Sequence, residues 1–203
     1  MAASAHIYIV DDDQAARDGL VFMLGALGLE IRSFAVPDIF LAEFDPDVRG
    51  VCLFDMRMPG MTGLELLEEL NRRNCLLPVI FITGHGDVPL TVRAMRAGAY
   101  DFVEKPVNGM ELLERINEAL RLCDKRRAEQ QVKSDVGSLV ESLTPRERQV
   151  AQAVMAGKQN KMIAHELGIS MKTVEIHRHN AMEKLGATSA ADLVRKLMAA
   201  GWQ

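Results

Sequence analysis

GVCLFD, Gly50–Asp55, is an unbroken apolar run that stops on a carboxylate. A strand with one face in water alternates apolar and polar residues. A strand without alternation is covered on both faces, as in parallel sheets. PVIFITG (78–84) reads the same way, and His6–Val10 reads as a strand that runs into Asp11, Asp12 and Asp13. Glu30–Phe34 and Tyr100–Val103 read as two further strands. Between the strands lie helical patterns: Gln14–Leu27, closed by Gly28; a short one around Asp38–Phe44; TGLELLEELNRR, with Leu64, Leu67 and Leu70 on one side; and Val88–Ala97. Asn108 to about Arg127 is a longer helix, with Asn108 and Glu111 spaced as in a capping box.

Five β/α alternations in about 120 residues predict a doubly wound parallel five-stranded sheet, flavodoxin-like in class. Such sheets bind ligands at the carboxyl ends of their strands. The chemistry-bearing residues fall at that rim: Asp11–Asp13 after the first strand, Asp55 ending the third, Thr83 ending the fourth and Lys105 after the fifth.

The chain has 203 residues, 48% of them apolar and 26% charged, which suits one large or two small globular domains. No stretch approaches the roughly 18 apolar residues of a membrane span, and no secretory leader is expected. Cys52, Cys75 and Cys123 are odd in number and form no CxxC, as expected of reduced cysteines in a cytoplasmic protein. Charge is uneven. Residues 1–123 carry 11 basic and 19 acidic side chains, and residues 138–203 carry 9 and 6. An acidic body with a mildly basic tail points the tail, weakly, toward nucleic acid.

The expected organisation is a rim-bearing domain at 1–123, a linker at 124–138 that is helical in part, and an all-α four-helix domain at 139–203. The polar stretch EQQVKSDVGSL (129–139) suggests the linker. The tail helices are predicted at Pro145–Ala156, Asn160–Leu167, Met171–Leu185 and Ser189–Ala200. Thr144-Pro145 is a helix start, and LGIS is a tight helix-turn-helix corner.

Clustered carboxylates suit a hard cation such as Mg²⁺. A carboxylate can also act as a nucleophile and form an aspartyl-phosphate, a transfer that needs mainly positioning and charge neutralisation. Asp13 is better placed to cap the following helix than to join the cation site. Enzymes that hydrolyse such an intermediate quickly often carry Asp-x-Asp; Arg57 stands at that second position here, which favours a persistent phosphoryl group over turnover. His85 is expected at the loop edge, tuning access to the pocket.

IVDDD, LFDMRMPGMTG, FITGHGD and DFVEKP, in that order, resemble the motif set of two-component receiver domains across residues 5–123. The resemblance implies a phosphoacceptor at Asp55 and a Mg²⁺ held directly by Asp12 and Asp55 and largely through water by Asp11. The backbone carbonyl of Arg57 would complete the protein's share. It also implies that Lys105 pairs with the phosphoryl oxygens, that Thr83 hydrogen-bonds them, and that Phe102 is the aromatic switch. TPRE, NKMIA, LGIS, TVEIH and KLG resemble the LuxR-type four-helix DNA-binding domain. Together the two halves resemble NarL/FixJ-family response regulators, on the FixJ-like branch.

Helical geometry gives faces to the third tail helix. Val174, Ala181 and Leu185 form a core stripe with His177 at its margin. Lys172, Glu175, Ile176 and His179 lie opposite and should enter the major groove, where Glu175 can accept from a cytosine amino group. Thr173, Arg178, Asn180 and Lys184, with Lys161 on the preceding helix, suit phosphates. His177 and His179 lack cysteine partners, so zinc is not expected.

The expected function is a phosphorylation-dependent transcription regulator rather than an enzyme. Its implied partners are a sensor histidine kinase, double-stranded promoter DNA, a second copy of itself once phosphorylated, and RNA polymerase; family resemblance favours activation. The rival readings are an Mg²⁺-dependent aspartyl-phosphate phosphatase with an accessory helical domain, and a DNA binder indifferent to phosphorylation.

Overall fold

The computed structural model describes residues 5–25, 28–84 and 88–202. His85 lies outside the described residues. The chain divides into two compact units, Met1–Arg127 and Ala128–Gln203.

In the first unit five parallel strands, β1 (His6–Val10), β2 (Glu30–Phe34), β3 (Gly50–Asp55), β4 (Val79–Thr83) and β5 (Asp101–Glu104), stand in the order β2-β1-β3-β4-β5. The order reverses between β1 and β3, so the connections that follow these two adjacent strands turn to opposite faces of the sheet and open a crevice at their carboxyl ends. Asp11 and Asp55 flank that crevice.

The strands sort their side chains by parity. Ile7, Ile9, Val51, Leu53, Ile80 and Ile82 enter one core, with Leu20 and Leu24 of α1 (Gln14–Leu24) and Leu112 and Ile116 of α5 (Gly109–Glu141). Tyr8, Val10, Cys52, Phe54, Val79 and Phe81 enter the other. They meet Phe40 of α2 (Pro37–Glu43), Leu64, Leu67 and Leu70 of α3 (Gly63–Arg72), and Ala94 of α4 (Val88–Arg96). Each fully buried Leu, Ile or Phe contributes roughly 1.5–3 kcal/mol, and the unalternating runs follow from burial on both faces.

Local chemistry sets the helix starts. Asp13 is the N-cap of α1, accepting from the N–H groups of Ala15 and Ala16. Thr62 and Glu65 form a capping box on α3. Gly63 is a forced choice, because a Cβ there would lie 2.2 Å from the Asp55 carbonyl oxygen and 2.8 Å from the Phe81 ring. The start of α3 therefore packs directly on the backbone of Asp55.

The segment expected as a partly helical linker, 124–138, lies wholly inside α5. Its Ala, Glu, Gln, Lys and Arg residues are good helix formers. Gly137 costs up to about 1 kcal/mol there, offset by Val136 and Val140, which pack into the core of the second unit.

The second unit holds α6 (Pro145–Met155), α7 (Asn160–Leu167), α8 (Met171–Lys184) and α9 (Ala190–Ala199). Val150, Val154, Ile163, Val174, Ala181, Leu185, Leu193 and Leu197 are its core, and Trp202, the single tryptophan of the chain, packs against it. The α7–α8 corner turns on Gly168, in the left-handed region at φ 64, and Ser170 caps α8. Among the described residues no helix is long and apolar enough to cross a membrane.

Candidate functional site

Asp11 is one of three buried polar or charged side chains among the described residues, 2% exposed. Its Oδ1 accepts from the Asp13 N–H at 2.9 Å and its Oδ2 from the Lys105 ammonium at 2.8 Å. The same ammonium donates to Asp55 Oδ1 at 2.9 Å. Asp55 Oδ2 accepts from the Arg57 N–H at 2.6 Å, so both carboxylate oxygens are held. Lys105 is placed from behind: its N–H donates to the Thr83 carbonyl at 2.7 Å, one step past the last β4–β5 register pair. Thr83 is itself buried.

Two carboxylates thus share one ammonium, and the surplus negative charge favours a further cation. Burial draws the Lys105 ammonium toward lower pKa, but its hydrogen bonds to Asp11 and Asp55 outweigh that and hold it above the ordinary lysine value. Asp12 is exposed beside this pair. Among the described residues no three His, Cys, Asp or Glu side chains are gathered into a metal-binding group; the Lys105 ammonium lies between the two carboxylates instead. The donor set fits Mg²⁺, which takes one or two carboxylates together with waters and phosphate oxygens.

Sequence reasoning missed Arg17, whose guanidinium donates to the Asp11 carbonyl at 2.6 Å. The available signal was its position four residues after the cap Asp13, one turn along α1. Phe102 is half-buried and packs against the aromatic-rich core, while its neighbour Asp101 pairs with Arg115.

On α8, Val174, Ala181 and Leu185 are buried. Lys172, Glu175, Ile176 and His179 are exposed together, and His177 is half-buried. Lys161 is exposed at the start of α7; Asn180 is half-buried. The Thr173 hydroxyl lies 2.7 Å from that of the cap Ser170. Arg178 donates to Asn160 Oδ1 at 3.1 Å, tying α8 to the first residue of α7. Lys184, expected to suit phosphates, is paired within the unit. Its ammonium donates to the buried Glu147 carboxylate at 2.7 Å and to the Ser142 carbonyl at 3.3 Å. Glu147 also accepts from the Thr144 N–H at 2.8 Å in the α6 capping box. Burial pushes the Glu147 carboxyl up, but Lys184 and Thr144 together hold it below the ordinary value.

Residues 7–117 match the response regulator receiver domain family, and residues 141–197 match the luxR family of bacterial regulatory proteins. The chain is 42% identical over 201 residues to the transcriptional regulatory protein FixJ of Bradyrhizobium diazoefficiens, covering 99% of this chain and 98% of that one. It is 41% identical over 189 residues to the response regulator protein TodT of Pseudomonas putida, covering 93% and 83%. The solved structure of the response regulator StyR superposes with a TM-score of 0.79 at 43% identity, over 97% of this chain and 99% of that one.

Proposed function

The chain belongs to the FixJ-like response regulators, which join a receiver domain to a luxR-family DNA-binding domain, and from that premise we propose how its residues carry phosphorylation-dependent transcription regulation. Asp55 is the phosphoacceptor. A sensor histidine kinase presents its phosphohistidine; the P–O bond to Asp55 forms as the P–N bond breaks, and the imidazole nitrogen keeps the electron pair. Lys105 and the Arg57 N–H fix the carboxylate for this attack. Lys105 then follows the new phosphoryl oxygens, and Thr83 donates its hydroxyl to them.

Asp11, Asp12, Asp55 and the Arg57 carbonyl would hold Mg²⁺, which supplies charge neutralisation at the transferring phosphoryl group. The observation that carries this reading is the single ammonium shared between the buried Asp11 and the half-buried Asp55. No second carboxylate stands at the position of Arg57 to activate water, which favours a lasting switch over a phosphatase.

Phe102 and the surface around it would relay the change, and a phosphorylated homodimer would bind symmetric promoter half-sites in the cytoplasm and engage RNA polymerase as an activator. Lys172, Glu175, Ile176 and His179 enter the major groove; Lys161, Thr173, Arg178 and Asn180 meet phosphates.

Treatment with a small-molecule phosphodonor and Mg²⁺ should add one phosphoryl group per chain by intact mass and raise affinity for promoter DNA. Asp55→Asn should do neither. An Asp55→Asn chain that still gains the phosphoryl mass overturns the acceptor assignment, and equal DNA affinity with and without the donor favours the phosphorylation-independent rival.

A further inference from the structure

Ile176 is 52% exposed on the groove-facing side of α8, among Lys172, Glu175 and His179. Its neighbours one turn away, Lys172 and His179, are polar, and the buried stripe of the helix runs elsewhere through Val174 and Ala181. A β-branched residue on an exposed helix face contributes neither packing nor good helix propensity. Single exposed apolar residues are common, but this one stands in the middle of a polar surface on the helix-turn-helix reading element. The major groove offers one apolar group at base edges, the thymine C5-methyl; every other group there is a hydrogen-bond donor or acceptor.

We infer that Ile176 is a specificity-determining residue that selects a thymine in each operator half-site by contact with its C5-methyl group. The inference rests on α8 being the groove helix. Ile176 discriminates in two ways. It gains the burial of the methyl group, and it leaves the amino group of a cytosine at that position without a partner. Glu175, the preceding residue, is the polar counterpart and faces different chemistry. Met171 is also exposed, 49%, but it opens the helix and lies about 140° around the axis from Ile176, so it offers an internal control.

The test uses full-length, phosphodonor-treated chain and a duplex enriched by that chain from a random-sequence pool. Each thymine is replaced in turn by uracil, which removes only the methyl. Fluorescence anisotropy should show one thymine per half-site where uracil weakens binding about fourfold, the worth of one buried methyl group. Ile176→Ala should bind thymine and uracil duplexes alike, with Trp202 fluorescence reporting an intact fold, while Met171→Ala should keep the preference. The inference is overturned if no thymine is uracil-sensitive, if Ile176→Ala keeps the full preference, or if Met171→Ala removes it. Enrichment of no duplex at all defeats the DNA-binding reading itself and the inference with it, so the two failures are distinguishable.

Discussion

Asp11 and Glu147 are both buried acids held by a lysine, at 2.8 and 2.7 Å, and they differ in how their charge is balanced. Glu147 has one ammonium to itself and a capping N–H, so its charge is matched and its geometry closed. Asp11 must share Lys105 with Asp55. A matched buried pair fastens two helices together; an unmatched one leaves a charge for something else to answer. The ratio of carboxylates to cations, more than burial, separates the structural acid from the proposed functional one in this chain.

Loss of the Glu147 carboxylate should be felt most strongly. Replacing it by Ala removes a helix cap and strands Lys184, and should cost the second unit about 2–3 kcal/mol. That is less than the roughly 3–5 kcal/mol of breaking a fully buried pair, because Lys184 is partly in water. Urea unfolding followed by Trp202 fluorescence measures it, and a loss under about 1 kcal/mol would show the pair to be dispensable.

Acid should weaken the same pair, with a smaller effect. The folded Glu147 carboxyl sits below its ordinary value of 4.5. Its stabilisation is therefore complete above the unfolded value and is lost as pH falls from about 4.5 through the folded one. Asp192, in the same unit, is lowered to about 2 by the Thr188 N–H and Arg195, and adds its own dependence. The urea midpoint of the wild type should fall faster below pH 4.5 than that of Glu147→Gln, and parallel curves would refute the assignment.

Asp11→Asn should have the least effect on stability, within about 1 kcal/mol. The amide oxygen can still accept from Asp13, and Lys105 keeps Asp55 to itself. Mg²⁺ affinity should nonetheless drop by roughly 10–100-fold, the usual cost of losing a group that orients a metal. Titration calorimetry reads the affinity and urea the stability; a large stability loss with unchanged Mg²⁺ affinity would make Asp11 another Glu147.

The sheet and its rim were legible because strands buried on both faces show unbroken apolar runs, and because the residues ending those runs must lie at one edge. The separation of Asp13 from Asp11 and Asp12 was legible from its place before a helix. The partners of Lys184 were not. Periodicity gives the face of α8 on which a residue lies, but not that Glu147, 37 residues earlier, is buried opposite it. The length of α5 was hidden for a related reason. Residues 129–139 look like a solvated linker until Val136 and Val140 are seen packed with the core that the rest of the tail supplies.

Gly63 also limits how far the pocket can move. The peptide oxygen of Asp55 and the ring of Phe81 occupy the space where any other residue would begin its side chain. The proposed acceptor is thus registered against α3 by an atom that is not there. Clearance at this position leaves no slack for drift, and fine adjustment of the pocket must come from other walls.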